Sequence, residues 1–106
     1  MTKNLTTVAT VLDALSNETR LQIFLILVKN CRDGIIPTDI SKLMNDFPRN
    51  TLSFHLSLMV NAGICESERK GKQIYYRAKC EVIKEIASFL LSDCCNNSDC
   101  KCGGGK

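Results

Sequence analysis

No apolar run in this sequence approaches the ~20 residues that a membrane-spanning helix needs. One of the longest, Ile23-Phe24-Leu25-Ile26-Leu27-Val28, is only six residues, so no membrane association is expected. Histidine occurs once, at His55; there is no Cys-x-x-Cys spacing, and no glycine-rich phosphate loop stands beside a strand and a helix. A catalytic constellation cannot be assembled from what remains, and an enzyme is not expected. Net charge is small, +3 at pH 7, so its distribution and not its total must speak for any nucleic-acid partner. Met1-Thr2-Lys3-Asn4 leads into alternating polar and apolar residues. A signal-peptide core with small cleavage-site residues is not seen there, and a cytoplasmic location is expected.

What is present is one domain's worth of chain, 106 residues of which 44% are hydrophobic, enough for a single core. Leu5, Val8, Leu12 and Leu15 line one side of a predicted first helix. Ser16 or Asn17 caps a second, running to about Lys29. Its Leu21, Ile23, Phe24, Leu25, Leu27 and Val28 leave little polar surface and mark it as the buried centre. Pro37 and Thr38 open a short third helix in which Ile40, Leu43 and Met44 share a face, with Phe47 packing beyond and Pro48 as its stop. Asn50 to Ala62 forms a fourth, with Leu52, Leu56, Met59 and Val60 inward and Gly63 as its left-handed cap. The third and fourth helices with their tight turn make a helix-turn-helix candidate.

From Ile64 the period falls to two, which predicts a hairpin of Ile64–Arg69 and Lys72–Ala78 turning at Lys70-Gly71. A fifth helix, Lys79 to Ser92, carries Val82, Ile83, Ile86, Ala87, Phe89, Leu90 and Leu91, a band wide enough to suggest a dimer interface. The expected architecture is α+β, mostly α: a winged helix-turn-helix of five helices and a β-hairpin wing. It occupies residues 1–92, followed by a flexible cysteine-rich tail over 93–106.

A DNA-binding face follows from the fourth helix. Opposite its core stripe stand Asn50, Thr51, Ser53, Phe54 and Ser57, with Arg49 beside the helix N-terminus. These can meet phosphates or base edges in a major groove. Downstream, Arg69, Lys70 and Lys72 concentrate at the hairpin tip and Tyr75 and Arg77 lie on its second strand, placing positive charge where a wing reaches the neighbouring phosphates. His55 is assigned to the same face, as a contact near the groove.

The residues in this order resemble the arsenical-resistance (ArsR/SmtB-type) family of metalloregulatory repressors. Leu15-Ser16-Asn17-Glu18-Thr19-Arg20-Leu21-Gln22-Ile23 is similar to its second-helix motif. Ser53-Phe54-His55-Leu56 with Met59 and Asn61-Ala62-Gly63-Ile64 is similar to its recognition helix, and Arg69-Lys70-Gly71-Lys72 through Tyr75-Tyr76-Arg77 to its wing. The resemblance spans about Leu12 to Leu90. It implies a homodimer through the first and fifth helices that reads double-stranded operator DNA as two half-sites.

Seven cysteines in a non-secreted chain point to metal or redox chemistry and not to a disulfide framework. Cys94, Cys95, Cys100 and Cys102 crowd into nine positions after the fifth helix. Thiolates favour soft ions such as trivalent arsenic or antimony, Cu(I), Cd(II) and Pb(II). Cys94 and Cys95 with either Cys100 or Cys102 supply three sulfurs for pyramidal arsenic, and a fourth would suit tetrahedral zinc or cadmium. Two sensor sites that the resemblance would imply are missing: Thr38 to Met44 contains no cysteine, and a fifth-helix site needing histidine is excluded. The tail is therefore the expected sensor, with arsenite, antimonite, a methylated arsenical, cadmium or lead as inducer and no constitutive cofactor. Cys31, Cys65 and Cys80 are expected to be structural. A thiol-redox regulator and a metal-buffering protein are the alternative readings.

Overall fold

The computed structural model describes the backbone of residues 5–96 and the side chains of residues 5–92. Its elements follow in the order α1 (Leu5–Leu15), α2 (Glu18–Lys29), α3 (Pro37–Leu43), α4 (Arg49–Ala62), β1 (Cys65–Lys70), β2 (Gln73–Ala78) and α5 (Cys80–Asn96). Polar residues at the breaks in the apolar pattern set the boundaries. The Asn17 side chain accepts from the Arg20 amide at 3.1 Å and starts α2. Pro37 occupies the first turn of α3, where a missing N–H costs nothing. Gly63, at φ 84°, ends α4, and the amides of Gly63 and Ile64 return to Val60 and Met59.

Between α3 and α4 the chain reverses through Asn45 and Asp46, both left-handed at φ 59° and 60°. Asn and Asp tolerate this conformation better than other side chains do. Ser41, a buried polar residue, stabilises the turn: its hydroxyl donates to the Phe47 carbonyl at 2.7 Å, and the Phe47 amide donates to the Ser41 carbonyl at 3.2 Å. The angle between the two helices is thus fixed by local hydrogen bonds as well as by packing.

Ile23, Leu27, Ile40, Leu52, Leu56, Met59 and Ile64 are completely buried and form the centre of the core, joined by Val8, Val11 and Ala14 from α1 and Ile86 from α5. The strands pair antiparallel from Cys65↔Ala78 to Lys70↔Gln73. Ile35 exchanges two backbone hydrogen bonds with Tyr76, at 3.0 and 2.9 Å, and so ties the loop after α2 to the hairpin.

The expected architecture is present, with corrections to which residues it buries. Val8, Val11 and Ala14 face the core from α1, whereas Leu5 and Leu12 are exposed. Both faces of α1 are apolar, so periodicity alone does not say which one turns inward. On α2 only Ile23, Phe24 and Leu27 are buried, and Leu21 and Leu25 are exposed. Leu43 also points outward, 61% exposed, while Ile40 and Met44 pack beneath it. The hairpin turns at Gly71-Lys72, one residue later than expected, with Gly71 left-handed at φ 64°. The last helix continues past Ser92 to Asn96, since Asp93-Cys94-Cys95 contains neither proline nor glycine to break it.

Gly34 illustrates how tightly the wing sits on the body. It is left-handed at φ +86°, and a Cβ there would lie 3.0 Å from the Tyr75 Cβ and 3.3 Å from Arg77. Gly34→Ala should lower stability by ~2–3 kcal/mol, combining backbone strain with displacement of the strand. Gly71→Ala, left-handed but with open space around it, should cost only about 1 kcal/mol. Urea denaturation of both variants checks this, and equal losses would show that contact with Tyr75 contributes nothing.

Candidate nucleic-acid interface

The outer face of α4 is built mostly from short polar side chains, with Arg49 at its start and Phe54 among them. Arg49, Asn50, Thr51, Ser53, Phe54 and Ser57 are exposed, while Leu52, Leu56 and Met59 anchor the opposite side in the core. Arg49 donates to Thr38 Oγ1 at 2.8 Å and links the first turns of α3 and α4. It therefore fixes one helix against the other while standing at the positive end of α4.

His55 is set back from this row. It is partly buried, with Nδ1 3.4 Å from an Arg20 guanidinium nitrogen, and Arg20 Nε donates to the Ala14 carbonyl at 2.7 Å. Because Arg can only donate, His55 Nδ1 accepts, which selects the neutral ring carrying its proton on Nε2. Phe47 and Phe54 contact the imidazole at centroid distances of 6.4 and 5.7 Å, the latter edge-on. Burial first, and then the Arg20 charge, hold the His55 pKa below its ordinary value. The structure thus gives His55 an inward bracing contact in addition to its place beside the exposed polar row.

The wing's charges divide between its tip and its paired strands. Arg69, Lys70 and Lys72 are exposed at its tip. Arg69 donates to the Gly71 carbonyl, and Lys70 reaches the Asp33 carbonyl at 3.5 Å while its ammonium lies 5.0 Å from the Tyr75 ring centre. Arg77 is engaged by Glu68 at 2.8 Å and Glu66 at 3.5 Å. The hydrogen bond from Arg77 holds the Glu68 carboxyl below its usual range. Positive charge is left at the tip, and Arg77 serves the hairpin itself.

Three residues brace this region through contacts that the sequence pattern does not show: Arg20, Thr38 and Ser41. Arg20 carried a weak signal, a cation in the first turn of a helix whose later turns are apolar. Thr38 and Ser41 carried none, since their partners are brought near only by the turn.

The cysteines divide into two groups. Cys31 is exposed, Cys65 buried and Cys80 partly buried, all three free. Burial, reinforced by Glu66, pushes the Cys65 thiol up to about 12, so it stays protonated. Among the described residues no three His, Cys, Asp or Glu side chains form a group able to hold a metal ion. Cys94 and Cys95 lie in the last turn of α5, their side chains outside the described residues, and Cys100 and Cys102 lie outside them altogether.

A helix pair fixed at its turn, a recognition helix with a short polar outer row and a basic hairpin tip define a DNA-binding winged helix-turn-helix. The chain is 34% identical over 94 residues, covering 78% of its length and 94% of the relative's, to the uncharacterised HTH-type transcriptional regulator YbzH of Bacillus subtilis (strain 168). An ArsR-like transcriptional regulator from Rhodococcus sp. RHA1 superposes with TM-score 0.73 at 27% identity, covering 83% of this chain and 79% of that one. The homodimeric winged helix-turn-helix DNA-binding domain of Mb0332 from Mycobacterium bovis gives TM-score 0.66 at 28% identity, covering 84% and 80%. No protein-family model matches the sequence. On these relationships the chain belongs to the ArsR family of transcriptional regulators, which are not enzymes. Among the described residues, no helix is long and apolar enough to cross a membrane.

The Arg20–His55 contact yields a pH signature. A lowered folded-state pKa means that the unfolded chain takes up the proton first. The stability contributed by neutral His55 is therefore complete above about pH 6.5 and declines as pH falls from there through the folded value. NMR titration should place the His55 midpoint below that of an unstructured histidine. Arg20→Gln should raise it only part of the way, because burial is the larger cause. An unshifted wild-type midpoint would remove this account.

Proposed function

We propose that the chain is a repressor that binds operator DNA as a homodimer and releases it when trivalent arsenic, or a related soft ion such as antimonite, is captured by Cys94, Cys95 and either Cys100 or Cys102. Asn50, Thr51, Ser53, Phe54 and Ser57 enter the major groove, with Arg49 and His55 beside them. Arg69, Lys70, Lys72 and Tyr75 engage the flanking backbone.

One observation carries the link between sensing and release: α5 runs unbroken from Cys80 to Asn96, through Phe89, Leu90 and Leu91, into Cys94-Cys95. Those three apolar side chains are 37–56% exposed, and Leu5 and Leu12 on α1 are exposed at 75% and 44%. Large apolar groups uncovered on both terminal helices are what a dimer interface would bury. The homodimeric state of the Mycobacterium bovis relative supports the same reading. An ion that pulls the adjacent thiols toward a third sulfur would then act on the helix that joins the protomers. Half-site spacing is geometric, so a small change at that joint misplaces both recognition helices.

Two cysteines within reach of one another suffice for a monomethylated arsenical, whereas three suit the inorganic ion, and the buried, protonated Cys65 stays outside either set. Membership in a family of transcriptional regulators favours this reading over metal buffering.

The test uses the duplex that the purified full chain selects from a random-sequence library. Arsenite should weaken binding to that duplex by roughly 5–150-fold, the usual range of allosteric coupling. Cys94→Ser and Cys95→Ser should each abolish the response, and Cys31→Ser should retain it. An equal response after all four of Cys94, Cys95, Cys100 and Cys102 are replaced by Ser would refute the sensor assignment. A response to peroxide but not to arsenite would support the thiol-redox alternative.

A further inference from the structure

Building on the duplex-binding reading of α4, we infer that Phe54 is a sequence-reading residue that packs on the C5-methyl group of a thymine in the major groove. Among the described residues, α4 exposes one large hydrophobic side chain, Phe54, at 63%. Its neighbours on the outer face, Asn50, Thr51, Ser53 and Ser57, are all shorter, so the ring stands above the surface around it.

The ring also has an aromatic neighbour beside it. Phe54 meets the His55 imidazole edge-on at 5.7 Å, and His55 is in turn fixed by Arg20, which is bound to the Ala14 carbonyl. A bulky apolar side chain that is uncovered fits a partner surface better than it fits solvent.

The chemistry of the helix narrows what that partner surface offers. From Asn50 to Ala62, α4 contains no Arg, Lys, Gln, Asp or Glu, and the guanidinium of Arg49 is bonded to Thr38. The forked contact by which Arg or Lys reads guanine O6 and N7 is therefore missing from the outer row, as is the carboxylate that accepts from cytosine. Asn50, Thr51, Ser53 and Ser57 can hydrogen-bond to base edges or phosphates. A hydrocarbon ring can do neither, and the one apolar feature that the four bases present in the major groove is the thymine methyl. Phe54 and that methyl are each other's complement.

The experiment replaces thymidine by deoxyuridine, which lacks only this methyl, one position at a time and in both half-sites of the duplex selected by the wild-type chain. Wild-type protein should lose roughly fourfold in affinity per half-site at one position, as expected for one buried methyl group, and little elsewhere. Phe54→Ala should bind the thymidine and deoxyuridine duplexes equally at that position. Its salt dependence should be unchanged, since phosphate contacts are untouched. Phe54→Leu, which keeps an apolar tip, should restore part of the discrimination. Thermal unfolding of both variants at the wild-type midpoint confirms that the fold is intact. Deoxyuridine tolerated at every position, or a penalty that persists in Phe54→Ala, would overturn the assignment while leaving DNA binding standing. Recovery of no duplex at all would overturn the DNA-binding reading and this inference together.

Discussion

The guanidinium of Arg20 is the point at which three separate parts of the molecule meet. One nitrogen reaches the Ala14 carbonyl in the last turn of α1, which helix geometry leaves without an intrahelical partner. Another faces His55 on the recognition helix, and the Arg20 amide is already committed to the Asn17 cap of its own helix. A single side chain therefore satisfies a helix end, selects the neutral form of the only histidine and sets α4 against the α1–α2 corner. Hydrogen bonds from a charged donor are among the stronger ones available to a protein, and this one lies partly out of water. If it were lost, the apolar core would still hold the helices together. α4 would then be positioned by packing alone, which tolerates small rotations.

Charge in the DNA-facing half is used mostly for position. Arg49 joins α3 to α4, Arg77 is shared between two glutamates, and Lys70 lies over Tyr75 while touching the loop after α2. Exposed ion pairs of this kind add little to stability individually, but they restrict where a long side chain can point. In the proposed duplex-binding reading, the tip charges would supply attraction to a polyanion and the polar row of α4 discrimination. That division matches a protein of modest net charge, +3 at pH 7, whose attraction for DNA has to come from local arrangement.

Much of this architecture was legible in the sequence because its punctuation is strong. Asn17, Pro37, Gly63 and Gly71 each do what their chemistry suggests, and the switch from a helical to an alternating pattern at Ile64 marks the hairpin correctly. What could not be read was the choice between two apolar faces on one helix. Leu5 and Leu12 on α1, Leu21 and Leu25 on α2 and Leu43 on α3 all fit an inward stripe and are all exposed. Periodicity states that a face exists and not what covers it, and a helix with apolar residues on two sides gives two equally regular answers. The outer row of α4 was identified from the sequence because its inner stripe is unambiguous. The bracing roles of Arg20, Thr38 and Ser41 were not, because each depends on a partner that only the folded chain brings within reach.

The Ile35–Tyr76 backbone pair, together with Gly34 pressed against Tyr75, joins the hairpin to the helical body without an intervening hinge. The hairpin is thereby tied to the helical body at adjacent residues, which favours the two moving as one unit. In the proposed dimer, tolerance for base pairs inserted between two recognition sequences would then arise where the copies meet, or from bending of the nucleic acid.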